Sequence, residues 1–367
     1  MQIDFANLKI QHNLYKEEIE EAILKVARDC NFIMGSQIDE LERNLEKFTG
    51  SKYAISCSSG TDALLLAMMA LDIQPDDEII TTPFTFFATA ETIAFLKAKP
   101  VFVDIDEKTY NIDPSKIEEK ITPKTKAIIP VSLYGQPADM DEINQIAKKY
   151  NLKVIVDGAQ SFGSTYKGIS DSNLGDISCT SFFPAKPLGC YGDGGALFTN
   201  DEKLADKIKS LRLHGQSIRY HHQYIGMGGR LDTIQAAVLN VKLKYYEKDL
   251  KLRQDVAEKY TKALNAKNIE TPFVKSDRTS AWAQYSIRVQ NRTELQTKLQ
   301  NLGIPIAVHY PMPLHVQECF KYLNLKEGDF PISEKVSKEI MSLPMNPYVS
   351  DEEIEFIVEN LAKELRC

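Results

Sequence analysis

Segments typical of β-strands alternate with segments typical of α-helices from the N-terminal region to Asp157, and this alternation constrains the fold more than any other feature. The expected strands lie at 53–57, 79–82, 100–105, 126–135 and 153–157, and the expected helices at 16–28, 61–71, 86–97, 114–121 and 139–149. Strands interleaved with helices indicate βαβ units, in which each helix returns the chain so that successive strands run parallel. The pattern predicts an α/β fold with a mainly parallel central sheet.

The pattern changes in the second half of the chain. Glycine-separated β-prone runs cover 178–199, and helices are expected at 201–212, 231–264, 293–303 and 351–365, with strands at 282–289 and near 304–310. We expect a large α/β domain over residues 1–240 and a smaller α+β domain over residues 241–367.

Charge and apolar patterning exclude several classes of protein. The chain has 44 lysine and arginine residues against 51 aspartate and glutamate residues, a net charge of −7, whereas nucleic-acid-binding domains are usually basic. No apolar run approaches the roughly 18 residues of a membrane span, and the N-terminal segment lacks the apolar block of a secretory signal. We therefore expect a cytoplasmic protein that binds neither nucleic acid nor membrane.

Sequence motifs narrow the chemistry further. The six cysteines form no C-x-x-C pair, so we expect no metal site, no disulfide scaffold and mostly buried thiols. The motifs of P-loop proteins, α/β-hydrolases, zincins and dinucleotide-binding folds are missing, and Gly192–Gly195 is only a glycine-rich turn.

An anion site is predicted in SSGTDAL at residues 58–64. Small residues let the backbone approach an anion, and the N-terminus of the following helix offers free N–H groups. The alternative is an ordinary helix cap.

A carboxylate site is predicted in VIVDGAQSFGS at residues 154–164, where Asp157 ends an apolar strand. Open α/β sheets bind ligands at the carboxyl ends of their strands. The alternative is that Asp157 only caps a turn.

A reactive lysine is predicted in SFFPAKPLGCYGDGGAL at residues 181–197. Lys186 lies between Pro184 and Pro187, which stiffen the loop, and an apolar run precedes it. A lysine in an apolar site loses basicity and can form a Schiff base with an aldehyde. The alternative is a solvated surface lysine.

Together these segments provide what pyridoxal 5′-phosphate needs: an anion site, an acid for the ring nitrogen and an amine for the aldehyde. At this point the sequence resembles the DegT/DnrJ/EryC1/StrS family of sugar aminotransferases, which have the fold of type I pyridoxal phosphate enzymes. The matching motifs run in order along nearly the whole chain: SSGTDALLLA, TTPFTFFATAETI, VFVDID, LYGQPADMD, VDGAQSFGS, SFFPAKPLG, GDGGAL, LRLHG, GRLDTIQAA and VHYPMPLH.

The resemblance assigns roles to individual residues. It makes Lys186 the catalytic lysine bound to the cofactor aldehyde and Asp157 the partner of the pyridine nitrogen. The remaining cofactor contacts that it implies are Gln160 at the ring hydroxyl, Ser181 with the backbone of Gly60 and Thr61 at the phosphate, and Phe86 on the ring face. Phe86 could equally be a core residue, because its segment is apolar on more than one helix face.

Two positions depart from the family pattern. Gly228 stands where relatives often have an asparagine that contacts the cofactor phosphate of the neighbouring subunit, so a glycine can offer only its backbone there. Ser132 stands where relatives often have histidine.

The resemblance implies a reaction that moves the amino group of L-glutamate to a nucleotide-linked keto sugar in the synthesis of surface polysaccharide or lipopolysaccharide. The C-terminal motifs resemble relatives acting at C3 of UDP- or dTDP-linked 3-keto sugars. There are two alternatives. The first is amination at C4 of a UDP-4-keto-6-deoxy sugar, and the second is a non-catalytic copy of the fold that binds pyridoxal phosphate or sugar. A sugar dehydratase of the same fold would carry histidine in place of Lys186.

The same resemblance implies a homodimer with shared active sites, to which residues 214–232 contribute. It also brings Arg230, His309 and Tyr310 to the sugar, where Arg230 with His309 would suit a uronate carboxylate such as a UDP-linked 3-keto-glucuronate. The alternatives are a general contact with sugar hydroxyls, or a purely structural role.

Overall fold

The computed structural model describes residues 3–365. Its α-helices are α1 Leu8–Leu14, α2 Lys16–Asp29, α3 Ser36–Thr49, α4 Gly60–Ala70, α5 Ala88–Phe95, α6 Met140–Tyr150, α7 Glu202–Leu211, α8 Thr233–Leu243, α9 Tyr246–Asn265, α10 Arg292–Asn301, α11 Pro331–Glu339 and α12 Asp351–Glu364. Its β-strands are β1 Tyr53–Cys57, β2 Glu78–Thr81, β3 Lys99–Phe102, β4 Thr125–Ile128, β5 Lys153–Asp157, β6 Thr165–Tyr166, β7 Ile169–Ser170, β8 Ile177–Ser181, β9 Gly195–Thr199, β10 Gln216–Ile218, β11 His221–His222, β12 Tyr285–Arg288 and β13 Ile340–Leu343.

The central sheet has seven strands in the order β1-β9-β8-β5-β4-β2-β3. Strands β3, β2, β4, β5 and β8 pair in parallel, and β9 runs antiparallel to its neighbours β8 and β1. The prediction of an α/β fold with a mainly parallel sheet is confirmed.

Helices cover both faces of this sheet because its strands are apolar on both sides. Ile155 of β5 packs with α4, α5 and α7 on one face, whereas its neighbours Val154 and Val156 pack with α6 on the other. This alternation follows from the two-residue period of a strand. It leaves Asp157 at the carboxyl end of β5, beside Cys179 in the middle of β8.

A separate core cluster lies in the C-terminal part of the chain. It contains buried residues of α9, β12, α10, β13 and α12, together with Ile3 from the N-terminal segment. The division of the chain at residue 240 stays a prediction.

Several expected elements differ from the structure. Residues 114–121 form two short 3-10 turns instead of an α-helix, and Asp113 caps the first turn by accepting from Ser115 N at 3.0 Å. The expected helix at 231–264 is two helices, α8 and α9, and Tyr245 at the break stacks on Tyr15 with ring centroids 4.1 Å apart.

The strand expected near 304–310 is also wrong. Only Ala307 makes a β-bridge there, to Ser342. Strand β12 pairs with β13, which follows α11 directly and whose four residues are all buried. Strand β13 was not predicted from the sequence, because a run of four residues directly after a helix is too short to show the two-residue period of a strand.

Cysteine burial is mixed. Cys57, Cys179 and Cys190 are buried, as expected, whereas Cys30 and Cys319 are exposed, and Cys367 lies outside the described residues. Within residues 3–365, no helix is long and apolar enough to cross a membrane. The described part of the chain also contains no cluster of three metal-binding side chains.

Candidate active site

A cavity of about 490 Å³ opens where the carboxyl ends of β5 and β8 meet the N-terminus of α4. Its walls combine polar groups at the base with aromatic rings at the rim. The lining residues that matter here are Gly60, Thr61, Phe86, Asp157, Gln160, Ser181, Lys186, Gln284, His309 and Tyr310. The structure therefore brings nine of the ten residues predicted from the sequence into one cavity, and Arg230 is the exception.

One end of the cavity is suited to an anion. Helix α4 begins at Gly60, and its first-turn N–H groups have no partners further back in the helix. A Cβ atom on Gly60 would lie only 2.7 Å from Cβ of Ser181, so only glycine lets this helix come so close to β8. The Ser59 hydroxyl accepts from Asp62 N at 3.0 Å and fixes the first turn. A phosphate at this end would meet backbone N–H groups and the positive end of the helix.

Asp157 provides a buried carboxylate at the base of the cavity. Its side chain accepts from Thr89 Oγ1 at 2.7 Å and from Ala159 N at 3.2 Å. Burial raises the pKa of Asp157, while these two hydrogen bonds and the charge of Lys186 oppose that rise. A cationic N–H facing this carboxylate would be strongly stabilised, because little solvent competes with it.

Lys186 projects into the cavity from a compact turn. Its N–H donates to Phe183 O at 2.8 Å, and Cys190 N donates to Phe182 O at 2.8 Å, which closes the loop. Gly189 permits this closure, because a Cβ there would lie 2.4 Å from Pro184 O. Burial lowers the pKa of the Lys186 amine, and the nearby Asp157 charge opposes that effect. The amine is thus a better nucleophile and base near neutral pH than a solvated lysine.

Gln160 connects the sheet to the C-terminal part of the chain. Its Oε1 accepts from Tyr134 N at 2.7 Å, and its Nε2 donates to the Tyr310 hydroxyl at 3.0 Å. His309 is held through Nδ1 and Ser342 Oγ, 2.9 Å apart. Burial and the charge of Lys186 lower the pKa of His309 to about 4, so this imidazole is neutral near pH 7.

Phe86 lies at the rim of the cavity and is 55% exposed, so it is not a core residue. Its ring centroid is 6.0 Å from that of Tyr310. The two rings form an apolar wall on which a flat heterocycle could stack.

Arg230 lies in a neighbouring cleft with Asp62, Asp232 and Gln235. This cleft and the cavity share Ser59 and Asp193 as walls. Within the chain, Arg230 therefore does not converge with His309 and Tyr310. The imidazole of His214 lies beside Gly228, where a Cβ would be 3.1 Å from His214 Cε1.

Three groups at this site were not predicted from the sequence. Thr89 donates to Asp157, Thr85 lies 3.0 Å from Thr89 between hydroxyl oxygens, and Gln284 lines the cavity. Thr89 lies in α5 and Thr85 precedes that helix, so no helical spacing in the sequence pairs the two hydroxyls. Nothing in the sequence alone places Gln284 in the same cavity as Asp157.

The arrangement fits pyridoxal phosphate. It offers a cradle for a phosphate at Gly60 and Ser181, a buried carboxylate for a protonated ring nitrogen at Asp157, and an amine of lowered pKa for an aldehyde at Lys186. The close approach of Gly60 to Ser181 forms this cradle, and a Cβ atom on Gly60 would fill it.

Comparisons with known proteins agree with this geometry. Residues 13–362 match the family model described as the DegT/DnrJ/EryC1/StrS aminotransferase family. The chain is 51% identical over 355 residues to the UDP-2-acetamido-2-deoxy-3-oxo-D-glucuronate aminotransferase of Pseudomonas aeruginosa, covering 97% of this chain and 98% of that protein. It is 42% identical over 357 residues to the dTDP-3-amino-3,6-dideoxy-alpha-D-galactopyranose transaminase of Aneurinibacillus thermoaerophilus, covering 97% and 98%.

The fold also matches solved structures. The crystal structure of NtdA from Bacillus subtilis with bound cofactor PMP superposes with a TM-score of 0.92 at 31% sequence identity. That match covers 100% of this chain and 86% of the other.

Proposed function

The chain belongs to the DegT/DnrJ/EryC1/StrS aminotransferase family and is a pyridoxal phosphate-dependent sugar aminotransferase, and we propose that it moves the amino group of L-glutamate to C3 of a UDP-linked 3-keto-glucuronate. The observation that carries the reaction type is the convergence of Lys186, Asp157 and the Gly60 cradle in one cavity. The proposed sugar is supported by the 51% identity to a 3-oxo-glucuronate aminotransferase. The cytoplasmic location and a role in lipopolysaccharide synthesis stay predictions.

Lys186 moves the proton in each half of this reaction. When bound, pyridoxal phosphate supplies an aldehyde that carries the amino group between substrates and a ring that withdraws electrons from the reacting carbon. The neutral Lys186 amine removes the proton from Cα of glutamate in the first half, and returns a proton to C3 of the sugar in the second. Because its pKa is lowered by burial, a larger fraction of this amine is neutral than in a solvated lysine.

Asp157 and Gln160 orient the cofactor for that proton transfer. The Asp157 carboxylate stabilises the proton on the ring nitrogen, because it is buried and held by two donors. Gln160 is fixed at both ends of its amide by Tyr134 and Tyr310, so its position is set before any ligand enters. We propose that it contacts the ring hydroxyl.

We propose that the protein is a homodimer with active sites built from both subunits. The segment between α7 and α8 presents apolar side chains to solvent: Ile218, Tyr220 and Ile225 are 74%, 78% and 92% exposed. Three such side chains in one segment are unusual on a free surface and suit a subunit contact. A second copy would bring Arg230 to the sugar end of the neighbouring cavity.

Replacing Ile225 with aspartate should therefore weaken the dimer. We expect the variant to sediment increasingly as a monomer and to lose bound cofactor more readily, because a charge would be buried at the contact. The control is Ile169→Asp, which changes a 52% exposed isoleucine in the separate β6–β7 hairpin and should leave both properties unchanged. A wild-type protein that sediments as a fully active monomer would contradict the proposal.

Substrate choice tests the proposed function directly. We expect glutamate-dependent amination of UDP-2-acetamido-3-keto-glucuronate, detected as 2-oxoglutarate release and by the mass of the amino sugar. The neutral 3-keto hexose and a 4-keto-6-deoxy hexose should react much more slowly. A preference for the 4-keto sugar would favour the C4 alternative, and no turnover of any sugar would reject the proposed substrate class.

The same experiment with Arg230→Lys examines carboxylate recognition. Lysine keeps the charge but lacks the planar fork that binds a carboxylate through two N–H groups. Arg230 Nε is buried without a hydrogen-bond partner among the described residues, so this guanidinium has unused donor capacity. Uronate turnover should fall about 10- to 100-fold, while the glutamate half-reaction should change little. Arg43→Lys, at an exposed position of α3 outside the proposed subunit contact, is the matched control. Equal losses in both half-reactions would disprove a carboxylate contact.

A further inference from the structure

Asp171 is a buried carboxylate that the reaction described above does not use. It is 2% exposed, and it forms no salt bridge with any of residues 3–365. Its side chain accepts instead from two buried hydroxyls: Ser132 Oγ at 3.0 Å to Oδ1, and Ser161 Oγ to Oδ2. A buried carboxylate is costly unless its oxygens are satisfied, so this arrangement requires a reason.

The two serines belong to the two segments that hold Gln160. Ser161 follows Gln160 directly, and Ser132 lies two residues before Tyr134, whose N–H donates to Gln160 Oε1 at 2.7 Å. The Asp171 carboxylate thus joins one segment to the other, and Asp171 is not among the residues that line the cavity.

Asp171 itself is fixed by its surroundings. Its N–H donates to Ser164 O at 3.0 Å, and its carbonyl accepts from Ser178 Oγ at 3.2 Å. A Cβ on Gly158 would lie 3.0 Å from Asp171 Oδ2, so the carboxylate packs directly beneath the turn that follows Asp157. Small movements of Asp171 would therefore be transmitted to Gln160.

We propose that Asp171 is a positioning residue that sets Gln160 against the cofactor ring and against the Tyr310 hydroxyl. The role rests on the proposed contact of Gln160 with the ring, but not on the identity of the sugar. Ser132 has a defined part in it, as the hydroxyl that ties the Tyr134 segment to this carboxylate.

The ionisation of Asp171 is compatible with this role. Burial, with a smaller contribution from the charge of Asp157, raises the pKa of Asp171 to about 6, against the hydrogen bonds from Ser161 and Ser132. Near pH 7.5 the ionised form predominates, and both hydroxyls can donate to it.

The test uses the protein with pyridoxal phosphate bound and no sugar present. Asp171→Ala should shift the pH midpoint of the visible absorption of bound cofactor by about half a unit or more, and slow the glutamate half-reaction about 10- to 100-fold. The KM for glutamate should change less than the rate. Asp171→Asn keeps one oxygen that accepts a hydrogen bond and adds an N–H group that can donate to a serine hydroxyl, so it should recover most of the rate.

Asp176→Asn is the matched control. Asp176 follows in the same segment and holds Val154 N at 2.9 Å and Lys153 Nζ at 2.8 Å, but it does not contact either serine. It should lower the melting temperature without shifting the absorption midpoint. A stability loss in Asp171→Ala with an unchanged midpoint and half-reaction would reduce Asp171 to a structural residue and overturn the proposal.

If Asp171→Ala does not fold, Ser132→Ala and Ser161→Ala decide the question. Each removes one link to Gln160, so each should shift the absorption midpoint in the same direction. Wild-type spectra for both would overturn the proposal. Because no keto sugar is used, a wrong sugar assignment would leave these results unaffected.

Discussion

Replacing Lys186 with arginine should abolish both half-reactions, with a loss of about 10⁴-fold or more in rate. A guanidinium stays protonated at any usable pH, so it can neither bond to an aldehyde nor take a proton from Cα of glutamate. The measurement is a single turnover of the cofactor-loaded protein with glutamate, followed by the change in visible absorption. Cofactor should still bind through the phosphate cradle at Gly60 and Ser181, but without the wild-type spectrum.

Lys242→Met separates the role of Lys186 from that of a buried lysine in general. Burial also lowers the pKa of Lys242, to about 8, but its Nζ donates to Gly189 O at 2.5 Å and does not line the cavity. We expect reduced stability and a rate within about tenfold of wild type. If Lys186→Arg kept more than about a hundredth of the activity, another group would have to be the base.

Replacing Asp157 with asparagine should lower the rate of the glutamate half-reaction about 10²- to 10⁴-fold. The amide has nearly the same shape, but it carries no charge to keep the ring nitrogen protonated, so electrons from the Cα–H bond lose their acceptor. The pKa of the Lys186 amine should also fall further, because the Asp157 charge now raises it. Rates measured against pH would show both effects.

Thr89→Val is a graded companion to that variant. It removes the 2.7 Å hydrogen bond to Asp157 without changing the size of the side chain. That bond lowers the pKa of Asp157, so its loss should raise this pKa and move the acidic limb of the pH–rate profile to higher pH. The limb moves upward because the active form is the carboxylate. An unchanged profile in both variants would mean that Asp157 does not face the ring nitrogen.

The sequence predicted the part of the site that depends on local pattern. Lys186 between two prolines, Asp157 at a strand end and Gly60 at a helix start are all read from neighbouring residues, and the fold brings them together because parallel strands end at one edge. Phe86 needed the structure, since only its 55% exposure distinguishes a rim residue from a core residue.

Other features depend on contacts between distant segments. Asp171 contacts Ser132, 39 positions away in the chain, and Gln160 contacts Tyr310, 150 positions away. Hydrophobic periodicity in the sequence does not predict such pairs. The expected convergence of Arg230 with His309 relied on the resemblance, and the two residues line different clefts of the chain. The prediction of a strand near 304–310 was wrong for a related reason. Only Ala307 bridges Ser342, and the length of that contact depends on which segment packs against β13.

The hydrogen bond between Gln160 and Tyr310 spans the two halves of the chain and has a thermodynamic consequence. Gln160 faces the cofactor end of the cavity, and Tyr310 follows His309 at the proposed sugar end. A ligand that shifts either side chain changes the energy of the shared bond, so the two ends cannot bind independently. Linkage makes such coupling reciprocal: by whatever factor bound cofactor alters the affinity for the nucleotide sugar, bound sugar alters the affinity for the cofactor by the same factor.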